Sequence, residues 1–303
     1  MDFKAMMRAE RELARRKEAA PPPPPPATNG ADGAVAAATA AALCAAQSGS
    51  GYSLPLSDAR PRFSPAEHVI TTAPPTVCHI ADFISSDEEA EMLRQVELAP
   101  PTAWTPLRGR RLQSLGGLPQ TTGGMVPLPL PRWVQSVCDA LVRCGVFDAD
   151  APPNHVLLNE YAPGQGIDAH KDGPLYLPKV AILSLGSAVG FEFVRDDTGR
   201  APLAQLLLPP RGLLVFEGEA YEDHLHRVPA VAQDVSVPDV VRLDLPSSCS
   251  STAATDPPPP DPPPRTRRVS LTVRRVLHVR EDEPVAPPPP LWEERATLAK
   301  WLG

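Results

Sequence analysis

The chain has 303 residues, 41 of them proline, and a formal net charge of −7. Residues 1–60 hold seven Lys/Arg and six Asp/Glu, so the remaining 22 basic and 30 acidic residues do not suit a protein that grips a nucleic-acid backbone through bulk charge. No run approaches ~20 uninterrupted apolar residues, so no membrane span is expected.

Five cysteines without a C-x-x-C or a paired zinc spacing, and no signal sequence, point to a reducing compartment. Residues 2–20 read as a charged helix in which Met6, Met7 and Leu13 are too sparse for an apolar stripe. Asp2, Glu10, Glu12 and Glu18 argue against organelle import. Arg15-Arg16-Lys17 reads as a nuclear signal or as a solvated helix face, and the expected location is the cytoplasm and nucleus. Pro21 to about Pro61 is rich in Pro, Ala, Gly and Ser and is expected to be disordered. Polyproline runs at Pro21–Pro26, Pro257–Pro260, Pro262–Pro264 and Pro287–Pro290 cannot build a core, and would suit SH3- or WW-type binders. With these set aside, residues 74–279 form one expected domain, flanked by tails over 1–73 and 280–303.

The folded part is expected to begin near Thr76, with a strand over Val77 to Phe83. Ser85 and Glu88 make a capping-box pattern for a helix to about Leu98, carrying Ala90, Leu93 and Val96 at near-helical spacing. Trp104 to Met125 is rich in Gly and Arg, and reads either as a substrate-contacting lid or as an exposed hairpin. A second helix over Leu130 to Cys144 presents Trp133, Val137, Leu141 and Cys144 on one face. Strands follow at Val156–Tyr161, Lys179–Ser187, Gly190–Val194, Leu203–Leu208, Gly212–Phe216 and Arg268–Val276. Short strands broken by Gly and Pro turns predict a mainly β, α+β domain of the sandwich or jelly-roll kind. Pro229–Pro264 reads as a long surface insertion, and residues 291–302 as a short amphipathic helix.

Chemistry concentrates between Asn159 and Asp172. In a strand, His170 and Asp172 would point to one side. An imidazole and a carboxylate so placed can occupy neighbouring positions on a metal. A third ligand from another strand would complete the two-His-one-carboxylate face that leaves positions open for a cosubstrate and O2 on Fe(II). Alone, H-x-D is weak. His224 and His226 are candidates for the third ligand, with His226 favoured over its neighbour and over His155 and His278. Arg268, Ser270, Thr272 and Arg274 share one strand face, and Val269, Leu271 and Val273 the other. Two guanidinium groups there could take a carboxylate bidentately, or merely guard an edge strand. Asn159 and Tyr161 lie on one face of their own strand and could bond the same carboxylate from the opposite side.

The segments N-H-V-L-L-N-E-Y-A-P-G-Q-G-I, H-K-D-G-P-L-Y-L-P, S-L-G-S and R-V-S-L-T-V-R-R-V resemble AlkB-type Fe(II)/2-oxoglutarate dioxygenases, of the eukaryotic homologues, over about Thr76 to Val279. The resemblance implies a double-stranded β-helix with supporting helices. It places iron on His170, Asp172 and His226, and 2-oxoglutarate on Asn159, Tyr161 and Arg268, with Arg274 beside it and Ser270 near. Many relatives carry Asn at the Ser270 position. The loop from Arg110 to Gly117 would be the substrate lid, with Arg110, Arg111 and Tyr176 as substrate-contacting residues. The implied activity consumes O2 and 2-oxoglutarate and hydroxylates a C–H bond. From an N-methyl group of RNA or DNA, this releases formaldehyde. A protein-directed hydroxylase or demethylase, and a non-catalytic binding module on the same fold, are the alternatives.

Overall fold

The structure is a computed structural model, and it describes residues 52–58, 60, 62–120, 124–197, 201–234 and 264–280. The polyproline runs, the N-terminal charged helix, the core of the insertion and the C-terminal helix lie outside these residues, apart from Pro264. No helix among the described residues is long and apolar enough to cross a membrane.

The elements in order are α1 (Pro65–His68), β1 (Val77–Ile80), α2 (Ser86–Leu98), β2 (Thr105–Pro106), β3 (Arg111–Leu115), β4 (Gly117–Gln120), β5 (Gly124–Pro127), α3 (Arg132–Arg143), β6 (His155–Tyr161), β7 (Ile167–His170), β8 (Lys179–Gly186), β9 (Val189–Arg195), β10 (Pro202–Leu208), β11 (Leu213–Glu217), α4 (Glu219–Glu222), β12 (His224–Val228) and β13 (Arg268–Arg274). A seven-stranded antiparallel sheet runs β1-β11-β8-β13-β6-β3-β2, and a four-stranded one runs β10-β9-β12-β7. Strands β4 and β5 make a separate hairpin. The domain is mainly β, with a jelly-roll-like pair of sheets and few helices.

The alternation along the central strands decides which face meets what. Val269, Leu271 and Val273 of β13 join Leu158, Leu183 and the α3 residues Val137 and Leu141 in the helix-side core. On the opposite face, Val180, Ile182, Leu214 and Phe216 pack against Phe191, Phe193, Leu206 and Val228 of the smaller sheet. That second core fills one end of the space between the sheets. At the other end, the same face carries Arg268, Ser270, Thr272 and Arg274, all buried. Polar side chains are thus sealed between two apolar regions, an arrangement that holds only if they are paired or hold a ligand.

Helix α2 starts as its capping box predicts: Ser85 Oγ accepts from the Glu88 amide, and the Glu88 carboxylate accepts from the Ser85 amide. Its buried face is Met92, Gln95 and Val96. The expected Ala90–Leu93–Val96 stripe is rotated, because Met92 fills the core completely. Residues before the expected domain start near residue 74 also pack onto the fold. Leu54 and Leu56 are buried in the helix-side core, and Ser57 and Arg60 bond Glu88. The alternation in Tyr52-Ser-Leu-Pro-Leu is an apolar strap over α2 and α3, hidden in a Pro- and Ser-rich neighbourhood.

Candidate metal centre

His170 and His226 are direct cross-strand partners of β7 and β12, and their ring centroids are 4.4 Å apart. Asp172 lies two residues past the end of β7, and its loop is held by the Tyr221 hydroxyl, which donates to the Gly173 carbonyl at 2.7 Å. One ligand atom from each of His170, Asp172 and His226 falls within 4.8 Å of the others. His226 Nε2 stands 3.7 Å from Asp172 Oδ2, which finds no hydrogen-bond partner among the described residues. His224, the other candidate, is held by the Glu219 carbonyl and lies outside this group.

Neighbouring groups prepare each ligand atom. His170 Nδ1 donates to the Asp168 carbonyl at 2.8 Å, which turns Nε2 into the free lone pair. Burial pushes His226 down to about 3, and the adjacent His170 adds to this. His170 is lowered as well, mainly by burial. Both rings are therefore neutral, the form that binds a metal. Burial works against the Asp172 charge, but the Arg274 guanidinium beside it outweighs this and holds the carboxyl below its usual range. An unpaired carboxylate oxygen beside two neutral imidazoles fits a divalent cation, and iron(II) is within the chemistry of that donor set.

Backbone contact brings these strands together with the arginine turn. A Cβ on Gly166 would lie 2.2 Å from the Val228 carbonyl, and one on Gly109 would lie 2.4 Å from the Gly166 carbonyl. Only glycines let the Arg108–Arg110 turn, the entry to β7 and the exit of β12 approach this closely.

The opposite wall belongs to β6 and β13, where Arg268 pairs with Tyr161 and Ser270 with Asn159. The Arg268 guanidinium lies 5.4 Å from the centre of the Tyr161 ring and donates to Ser184 Oγ at 3.1 Å. Burial brings Arg268 down to about 10, so it stays charged at neutral pH. Arg268 Nε, Arg274 Nε and Arg274 Nη2 have no hydrogen-bond partner among the described residues. Buried cationic donors left unpaired in this way fit an anionic ligand with a carboxylate at each end. Ser270 sits buried between Asn159 and Ser184.

Arg274 does more than line the wall. It donates to Asp172 from Nη1, and its guanidinium lies 4.0 Å from the centre of the Tyr176 ring.

The three residues expected to contact substrate have other partners in the structure. Arg110 is buried and donates from Nε to Asn159 Oδ1 at 3.0 Å, so it orients that amide from inside the wall. Arg111 points the other way, as the next residue of a strand must. It lies over Trp104 at 4.2 Å and pairs with Glu160. Tyr176 is buried against Arg274 and bridges Val276, so it supports the arginine. The stretch read as a lid or as a hairpin forms two hairpins, β2–β3 and β4–β5.

His155 was set aside as a metal ligand, yet it is fully buried beside Arg274. The Ser114 hydroxyl gives its one proton to the Gly117 carbonyl, so His155 Nε2 must donate to Ser114 Oγ. Its Nδ1 is then an acceptor without a partner among the described residues. Period-two alternation with Asn159 and Tyr161 was the one sequence signal for it. A cleft of about 490 Å³ lies elsewhere, lined by Arg60, Phe63, Phe83 and Arg211 among others, and touches none of these residues.

A family model described as the 2OG-Fe(II) oxygenase superfamily matches residues 119–274. A Danio rerio protein named "Probable RNA/DNA demethylase ALKBH6" is 40% identical over 220 residues, covering 69% of this chain and 89% of that protein. A Macaca fascicularis protein named "tRNA (carboxymethyluridine(34)-5-O)-methyltransferase ALKBH8" is 30% identical over 156 residues, 48% of this chain but 23% of that protein. Among solved structures, that of OsALKBH1 is 17% identical, covers 66% of this chain and 98% of that one, and superposes with a TM-score of 0.44.

Proposed function

The chain belongs to the 2OG-Fe(II) oxygenase superfamily, an oxidoreductase family that uses Fe(II), 2-oxoglutarate and O2, and from that premise we propose that it removes N-alkyl groups from RNA or DNA. The observation that carries the reading is the meeting of His170, Asp172 and His226 opposite a wall of buried, unpaired guanidinium donors. The name of the Danio rerio relative supports the nucleic-acid substrate.

In this reading His170, Asp172 and His226 hold the iron. Arg268, with Tyr161, grips the far carboxylate of 2-oxoglutarate, and Asn159 presents its amide donors to the same anion because Arg110 occupies its carbonyl oxygen. Arg274 holds Asp172 ionised and turns one oxygen toward the metal. When bound together, iron and 2-oxoglutarate supply oxidising power: O2 is consumed, the keto-acid leaves as succinate and CO2, and a substrate C–H becomes C–OH. The apolar packing of Phe191 and Phe216 around His226 keeps water from that side of the centre.

The test is to incubate the protein with Fe(II), 2-oxoglutarate and N-methylated single-stranded oligonucleotides. Mass loss and formaldehyde should appear with the wild type and disappear with His170→Ala. The net charge of −7 favours one second reading, a protein side chain as substrate. Methyl loss or hydroxylation found in lysate peptides, with oligonucleotides untouched, would select it.

A further inference from the structure

We propose that Asp234 and Arg265 are positioning residues that set the span between the metal-binding end and the carboxylate-gripping end of the cosubstrate site, and thereby select the length of the keto-acid. The inference rests on the reading of the site given above.

The two residues are 31 positions apart and meet as a bidentate ion pair, with Arg265 Nε donating to Asp234 Oδ2 at 2.7 Å and Nη2 donating to Oδ1. Both are buried, at 6% and 7% exposure. Arg265 Nη1 also donates to the Pro229 carbonyl at 2.7 Å, and its amide donates to the Ala232 carbonyl at 2.9 Å. Pro229 directly follows β12, the strand of His226. Arg265 stands three residues before Arg268, the first residue of β13. The stretch between is pinned to the turn after β8: the Thr266 amide donates to Ser187 Oγ at 3.1 Å, and the Ser187 amide donates to the Arg267 carbonyl at 3.1 Å. Asp234 also packs tightly on β9, since a Cβ on Gly190 would lie 2.4 Å from Asp234 Oδ1.

The pair therefore ties the exit of a strand in the four-stranded sheet to the entry of a strand in the seven-stranded sheet. Those strands carry the two ends of the site. A keto-acid that chelates at one end and is gripped at the other is measured by the distance between them. Hydrogen bonding within the single sheets does not set that distance, because β12 and β13 belong to different sheets. A buried ion pair is weak as a stability device, since apolar residues of similar volume often replace it without loss. Its bidentate geometry fixes position, which is what a measuring contact needs.

The experiment uses the full chain loaded with Mn(II), titrated calorimetrically with oxaloacetate, 2-oxoglutarate and 2-oxoadipate. The variants are Asp234→Asn, Arg265→Gln and the double variant Asp234→Leu/Arg265→Met, which removes both charges and keeps packing if the single variants fold poorly. The expected result is Mn(II) affinity within about twofold of wild type and 2-oxoglutarate affinity weakened ~10-fold, the scale of lost outer contacts. The preference over 2-oxoadipate should narrow in parallel, and hydrogen exchange at the Arg268 to Ser270 amides should accelerate. Variants that keep the wild-type ratio among the three acids would overturn the proposal. So would a loss of Mn(II) affinity in step with 2-oxoglutarate affinity. A wild type that binds Mn(II) but none of the acids would instead remove the reading of the site on which the proposal rests.

Discussion

Arg274 donates to one oxygen of Asp172, and the other oxygen, unpaired, faces His226 Nε2 at 3.7 Å. The guanidinium thus divides the carboxylate between a structural role and a ligand role. Arg274→Met should weaken Mn(II) or Co(II) binding by ~10–100-fold. In the metal-free protein it should cost ~3 kcal/mol, since Asp172 is left as a buried charge without its main partner. Metal should recover part of that loss. Urea unfolding with and without Mn(II) gives both quantities, and an unchanged metal affinity would show that Arg274 serves the cosubstrate alone.

The two histidines of β12 should separate cleanly. His226→Ala removes a ligand atom and should abolish measurable Mn(II) binding. His224→Ala removes only a contact to the Glu219 carbonyl and should leave the affinity within about twofold. Calorimetric titration of both variants decides it, and the reverse order would move the third ligand to His224.

Acid should destabilise the metal-free chain before its carboxylates titrate. Burial pushes His79 down to about 4, with the nearby His68 adding to it. The unfolded chain takes up that proton near pH 6.5, and the folded one does so only near 4. Stability is therefore fully present above 6.5 and is lost as pH falls toward 4, at ~1.4 kcal/mol per pH unit for each such histidine. His226 and His155 act in the same direction. Denaturant melts at several pH values should show a shallower slope for His79→Gln. Equal slopes would mean that His79 is already open to protons in the folded chain.

The apolar strap before residue 74 should matter for stability. Leu54 and Leu56 are 4% and 8% exposed, and burying each contributes ~1.5–3 kcal/mol. A chain truncated before residue 74 should lose at least ~3 kcal/mol, whereas one truncated before residue 50 should match the full chain. Thermal and urea unfolding of the two would check this, and equal stability would return the strap to the status of a tail.

Much of the site was legible in residue order, because strand alternation forces residues two apart onto one side. N-x-Y, H-x-D and R-x-S-x-T-x-R each announce a polar face, and the structure places each of those faces between the sheets. Position along the chain also explains placements that residue order did not announce. Arg110 and Arg111 looked like one basic cluster, yet adjacent strand residues face opposite ways, and here one enters the wall while the other caps Trp104. Tyr176 read as a substrate-contacting residue, and the return of β13 sets the Arg274 guanidinium over its ring.

Local sequence was therefore enough to specify the capped helix α2, the strands β1, β6, β8, β9, β10, β11 and β13, the polar and apolar faces of β6 and β13, and the types of ligand a metal could take. These depend on neighbours within a few residues. Tertiary structure alone joined Arg274 to Asp172, gave His155 its tautomer, and brought Asp234 to Arg265 across 31 positions. Each of those depends on which strands lie opposite one another once two sheets close. No short stretch of chain carries that distance.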